Sequence, residues 1–408
     1  MKPQEPPIIY FGNDWFAENR TSSHHVAREL AKRHRLLYVE CPGLRAPQGS
    51  RRDLHKIGRL ILKLWRFVRG GMKINENVTV VTLPQIPLHR FRLIRAFNHV
   101  ISRLALRSFM FCHGIRRPVA WFIAPHVAHL CGKLGEVLSV YYCVDDFAAF
   151  PGMDAGSIQK MDDDLTKRAD LVFVASETLI ERKRSLNEHV AHSPHGVDVD
   201  HFSKTARGEV AVPEDIAALK KPVAGFFGLI EDWIDLDLVA HLARARPQYS
   251  FVMIGRVAVP EQNLPKLDNL HFPGRRPYES LPDYGSGFDC CLIPYKLTRQ
   301  VMHANPLKLR EYLAMGKPVV AVSTPEIDQF ADVVSIARNA DEFLQKVDEA
   351  VTNPQTAAEI SRRLARVAPQ SWEACVARAW QRVASAIEAR QNHPAREAPL
   401  ASALSGRN

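Results

Sequence analysis

The sequence contains no run approaching the roughly 20 apolar residues that a bilayer-spanning helix needs, although 46% of its 408 residues are hydrophobic. A charged fraction of 24% is ordinary for globular proteins, and a chain of this length suits two cores rather than one. The opening residues, Met1 to Tyr10, lack the apolar core of a signal peptide, so a cytoplasmic location is expected. No pair among the seven cysteines has Cys-x-x-Cys spacing, which removes a disulfide framework and a zinc ribbon. Cys290 and Cys291 read instead as small buried residues of a strand.

Negative charge is scarce in one region. Residues 51–117 hold fifteen Lys and Arg against Asp53 and Glu76, an excess larger than the +10 of the whole chain. Leu54, Ile57, Ile61, Leu64 and Val68 recur there at helical spacing beside Trp65, with Arg59, Lys63 and Arg66 on the polar side. Phe91, Phe97, Ile101 and Leu104 repeat the pattern among the arginines of 89–117. Basic amphipathic helices of this kind suit an anionic membrane surface. The plainer alternative is a stripe packed on a domain core. No recognised nucleic-acid module accompanies the charge, so nucleic acid is not expected as a partner.

Strand-length apolar runs alternate with helical stretches twice over. The first set lies at 8–12, 36–40, 78–83, 119–123, 138–143 and 171–175, the second at 223–227, 251–255, 270–272, 290–293, 319–322 and 333–337. Alternation predicts parallel sheets covered on both faces. The expected fold class is α/β: two doubly wound Rossmann-like domains facing across a cleft, at 1–200 and 201–370. A helix at 371–390 closes the fold, and a tail at 391–408 is expected to be disordered. Ser22 or Ser23 is expected to cap the first helix.

One short helix stands out. Asn305 reads as its N-cap and Pro306 as its first residue. Gly316 suits the left-handed position after its end, and Pro318 forbids continuation. Lys308 and Glu311 are three apart and share a face. A helix N-terminus with Lys308 beside it suits a phosphate, and Glu311 one turn deeper can accept hydrogen bonds from two ribose hydroxyls. An ordinary surface Lys–Glu pair is the plain alternative.

The pattern Asn-Pro-x-Lys-x-x-Glu-Tyr-x-Ala-x-Gly-Lys-Pro-Val-Val over 305–320 resembles the nucleotide-sugar motif of GT-B glycosyltransferases of group 1. His195-Gly196-Val197-Asp198 with Phe202, then Phe226-Phe227-Gly228, then the run 289–294, are similar to other motifs of that family in the same order. The resemblance implies a GT-B fold whose last helix returns to the first domain. It also implies a hexosyltransferase-type enzyme (EC 2.4 class) moving a sugar from a UDP- or GDP-sugar to a lipid-linked or membrane-proximal glycan. Cell-surface polysaccharide synthesis at the inner face of the plasma membrane is the expected setting. No metal and no other cofactor is expected.

By the same resemblance the donor side comprises Asn305, Pro306, Leu307, Lys308, Glu311, Gly228, Arg256 and His303. His303 stands where retaining relatives carry a Glu, and an acidic segment after Gly228 replaces their Arg and Lys. Arg256 and Arg299 are then candidates to meet the phosphates. Asp145 and Asp146 end a strand, where adjacent carboxylates repel and one acquires a raised pKa suited to base work. The resemblance favours Asp146 as the base, with Asp145 its structural partner, and overall likeness points to retention of the anomeric configuration. His126 resembles a substrate-contacting histidine. Gly12 and His24 are candidates for the acceptor side. Asp162, Asp163 and Asp164 form no expected metal site and read as a solvated helical face. The rivals are a nucleotide-sugar epimerase of the same fold and a nucleic-acid-binding protein using 51–117.

Overall fold

The computed structural model describes residues 5–17, 20–41, 71–83, 92–152 and 154–392. The basic helix expected within 51–70 and the tail beyond 392 lie outside these residues.

The strand β1 (Ile8–Gly12) is apolar on both faces and wholly buried. Ile8 and Tyr10 enter one core with Val26 and Leu30 of helix α1 (Ser22–Ala31). Ile9 and Phe11 enter the opposite core with Leu106 and Met110 of helix α2 (Arg92–Cys112) and Leu165 of helix α3 (Ala155–Arg168). Burial on both sides is the condition for a central parallel strand. Accordingly β1 pairs in parallel with β2 (Leu36–Glu40) and β5 (Val119–Phe122). The remaining strands of this sheet are β3 (Met72–Lys73), β4 (Val78–Thr82), β6 (Leu138–Cys143), β7 (Leu171–Val174) and β8 (Val190–His192). The order is β3-β4-β2-β1-β5-β6-β7-β8. The edge strands β3 and β8 were not expected, because runs so short and half-buried carry no apolar signal.

The second sheet is built from β9 (Val223–Phe227), β10 (Ser250–Ile254), β11 (Leu270–Gly274), β12 (Cys290–Ile293), β13 (Val319–Val322) and β14 (Ser335–Ala337). Its order is β11-β10-β9-β12-β13-β14, parallel throughout. Cys290 and Cys291 point into the two opposite cores of that sheet. Strand order reverses beside β1 in one sheet and beside β9 in the other, and ligands settle beyond the strand ends at such reversals.

Helix α4 (Leu307–Ala314) sits at the second reversal, and Gly316 follows it with φ +73°. Helix α5 (Trp372–Asn392) crosses back. Its Trp372, Val376, Ala379 and Val383 complete the first-domain core. Among the described residues no helix is long and apolar enough to cross a membrane.

Three local expectations need correction. Asn305 does not cap α4: the helix begins after an extended Pro306, and the Asn305 side chain donates to the Glu326 carboxylate and accepts from the His195 amide at 3.3 Å. The cap of α1 is Thr21 rather than a serine, and its amide donates to His24 Nδ1 at 3.1 Å. Asp162 is no solvated residue. It is buried, accepting from the Tyr141 hydroxyl at 2.5 Å and from Lys183 Nζ at 2.5 Å, and this pairing keeps its charge tolerable in the interior.

Candidate active site

A cleft of about 480 Å³ lies between the two sheets, and the ends of their strands build it. From the second domain come Gly228 after β9, Gly255 and Arg256 after β10, Arg275 and Arg276 after β11, Tyr295 after β12, and Asn305 to Lys308 with Glu311 at α4. The first domain supplies Asn13 after β1, Val144 and Asp145 after β6, and Arg20 to Ser22 at the start of α1.

On the donor side, two glycines let the backbone close up. Gly228 donates its amide to Ile254 O at 2.8 Å. Gly255 has φ +150°, and a Cβ there would lie 1.6 Å from Gly228 O. A Cβ at Gly228 would press on Phe226 at 2.7 Å and on the Lys308 side chain of α4 at 3.3 Å. Lys308 Nζ donates to Glu311 Oε2 at 2.7 Å and lies 5.0 Å from the Phe227 ring centroid. The Tyr312 hydroxyl accepts from the Phe227 amide at 2.9 Å, which ties the end of β9 to α4. Five basic side chains (Arg20, Arg256, Arg275, Arg276 and Lys308) line the cleft against two acidic ones, Asp145 and Glu311. His195 also lines it, and burial together with Arg310 and His25 lowers its pKa to about 3, so it adds no charge. The surplus is of the sign a diphosphate requires.

The two neighbouring aspartates differ sharply. Asp146 is buried outside the lining, and Arg299 of the second domain clasps it, with Nε at 3.0 Å and the terminal amine at 2.8 Å. Asp145 faces the cleft, and its Oδ1 has no hydrogen-bond partner. Burial and the charge of Asp146 raise its pKa to about 7. The repulsion expected of the pair is there, but it raises the pKa of Asp145, whose Oδ1 is unpartnered, while Arg299 occupies the Asp146 carboxylate.

Other expected residues fall elsewhere. Arg299, a phosphate candidate, serves Asp146 instead. His126 lies on the 3-10 turn Pro125–Leu130 and lines a separate cavity. His303 is absent from the cleft lining, its Nδ1 lying 2.8 Å from the Thr178 hydroxyl of the first domain. His24 is held in local bonds to Thr21 and to Asp14 O, at 2.8 Å for the latter. Gly12 makes its close approach to Tyr38, whose hydroxyl a Cβ would meet at 2.2 Å, rather than to the cleft. Asn305, Pro306, Leu307, Lys308, Glu311, Gly228 and Arg256 all share the cleft.

Several contributors gave no sequence signal. Arg20 stands in a polar loop, yet it reaches across to Glu279 and stacks 4.4 Å over Tyr278. Glu326 is buried at the domain junction, where it accepts from Ser176 Oγ at 2.9 Å and from the Glu177 amide at 2.7 Å while also holding Asn305. The Arg275–Arg276 pair was findable, as basic residues at a strand end.

Residues 221–353 match the family model of glycosyl transferases group 1. The chain resembles the putative teichuronic acid biosynthesis glycosyltransferase TuaH of Bacillus subtilis (strain 168), at 28% identity over 169 residues, covering 40% of this chain and 42% of that protein. The similarity thus spans less than half of that relative's length. The fold matches a sucrose-phosphate synthase from Thermosynechococcus elongatus with TM-score 0.68 and 14% identity, over 94% of this chain and 100% of that one. It also matches Anabaena HepE in complex with UDP and glucose, with TM-score 0.63 and 14% identity, over 93% and 100% of the two chains. The second domain thus carries the likeness to group 1 glycosyl transferases, and the chain as a whole has the fold of these structures, GT-B. Among the described residues no cluster of three His, Cys, Asp or Glu side chains is placed to hold a metal ion.

Proposed function

We propose that the protein is a glycosyltransferase that moves a sugar from a nucleoside diphosphate sugar to a membrane-proximal or lipid-linked glycan in bacterial cell-surface polysaccharide synthesis. The observation that carries the donor reading is the Lys308–Glu311 pair on α4, facing the two closely packed glycine turns. The pair is preorganised for exchange: an arriving diphosphate draws Lys308 away and frees Glu311 for the ribose hydroxyls. The α4 amides, Lys308 and the arginines of the cleft stabilise the leaving diphosphate electrostatically, and no metal is assigned.

In this reading an acceptor hydroxyl attacks the anomeric carbon while the bond from that carbon to the phosphate oxygen breaks. The hydroxyl proton passes to the Asp145 carboxylate, and the nucleoside diphosphate leaves with the bonding electrons. Attack with base assistance from across the cleft inverts the anomeric centre. This departs from the retention expected by resemblance, and NMR of the product anomer decides between them. UDP, borne by HepE in its complex, is the first nucleotide to test. Protection against thermal unfolding by a panel of nucleotide sugars tests the donor reading; protection by none of them contradicts it. Formation of an epimer without transfer would favour an epimerase instead.

The acceptor reading rests on α2. Leu93, Phe97, Val100 and Leu104 recur along that helix and are 85%, 54%, 52% and 54% exposed. An apolar row in a strongly basic segment fits an anionic leaflet better than open water. Phe97→Glu/Leu104→Glu should release the protein from phosphatidylglycerol vesicles while leaving UDP binding intact. Wild-type protein that ignores such vesicles at low salt contradicts this part.

A further inference from the structure

A second cavity, of about 490 Å³, opens on the first domain between α2 and α3, beside the Pro125–Leu130 turn. It shares no lining residue with the cleft. Arg103, Lys133, Lys160 and Arg168 converge on it, against Asp164 as the one acidic side chain of the lining. None of the four cations forms an ion pair among the described residues. Lys160 and Arg168 each stand four residues from Asp164 on α3, a spacing that ordinarily closes a helical salt bridge, yet neither does so. Buried Asn98 and His126 add polar groups to the wall.

We propose that this cavity binds a phosphate-bearing ligand, at a site distinct from the donor cleft. Four unpaired cations around a concave surface favour a compact polyanion, and phosphate oxygens can accept from several lysines and arginines at once. Val100 belongs both to the cavity wall and to the exposed apolar row of α2, so the phosphate can come from a lipid headgroup or from a free phosphate compound.

The test is a calorimetric titration of inorganic pyrophosphate into the full chain, with and without saturating UDP. Wild type should bind pyrophosphate in both conditions. Lys160→Glu/Arg168→Glu should weaken that binding by about tenfold or more, as expected for removing charge-assisted hydrogen bonds, with UDP affinity unchanged as the sign of a folded cleft. Lys220→Glu/Arg244→Glu, an equal charge reversal on the second domain, should change it by less than about twofold. Binding abolished by UDP, or weakened equally by the two reversals, overturns the proposal. If UDP fails to bind, GDP takes its place; if neither binds, the donor reading falls, and the titration without nucleotide still compares the variants. Pyrophosphate that displaces the protein from phosphatidylglycerol vesicles assigns a lipid headgroup. Vesicle binding that pyrophosphate leaves unchanged assigns a free phosphate compound.

Discussion

Glu311 and Asp145 face one cleft from opposite domains, and their surroundings fit them for opposite work. Glu311 is neutralised by Lys308 on its own helix, one turn away. Asp145 has no cation, sits beside a second carboxylate, and carries a pKa raised to about 7. A carboxylate held by a lysine is placed to accept hydrogen bonds, the binding role proposed for Glu311. An unpaired one with a pKa close to neutrality can take up and release a proton, the catalytic role proposed for Asp145. The arginine at Asp146 sharpens the contrast, since it comes from the other domain and the pair exists only when the domains meet.

The largest effect expected is from Asp145→Asn, which should lower kcat by about 10²–10³-fold, the range for loss of a general base, with UDP affinity changed by less than about twofold. Asp146→Asn should cost less. If Asp146→Asn is the more damaging in steady-state kinetics, the roles of the two carboxylates are reversed.

Next, Glu311→Gln and Lys308→Ala should each weaken nucleoside diphosphate by about 10-fold or more, the size of one hydrogen bond to a charged group. Glu311→Gln should spare a 2′,3′-dideoxy nucleotide, and Lys308→Ala should spare the free nucleoside. Equal losses for all ligands in calorimetry would mean collapse of α4 rather than lost contacts. Gly255→Ala strains a positive φ and drives a methyl into Gly228 O. It should cost about 1–3 kcal/mol of stability and weaken donor binding, read by thermal unfolding and titration.

The smallest effect expected is in pH. Turnover should rise through an apparent pKa near 7 as Asp145 ionises, and Asp146→Asn should move that limb to lower pH by removing the neighbouring charge. Stability has the opposite sign. The folded pKa of Asp145 is raised above the unfolded value of about 3.9, so its contribution is present at low pH and is lost as pH rises from about 4 to 7. Asp145→Asn should flatten that slope.

Much of this was legible in residues. Both sheets announced themselves because their central strands are buried on both faces, which leaves unbroken apolar runs such as Ile8–Gly12 and Cys290–Ile293. The meeting of the expected donor residues in one cleft was legible because they are close in sequence, on one helix and at strand ends. The different surroundings of Asp145 and Asp146, on which the proposed exchange of their roles rests, were not legible, since what separates them is Arg299, more than 150 positions away and on the other domain. Arg20 and Glu326 were missed for the same reason: their roles exist only across the domain junction. His126 fell outside the cleft because the turn after β5 places it on the flank of the first domain.

The most direct test is calorimetric titration of UDP and GDP into wild type and Glu311→Gln, both at pH 8. One nucleotide should bind wild type, and Glu311→Gln should weaken it by about 10-fold or more. Equal affinity for both proteins, or no binding of either nucleotide to wild type, would contradict the assignment of α4 as the donor site.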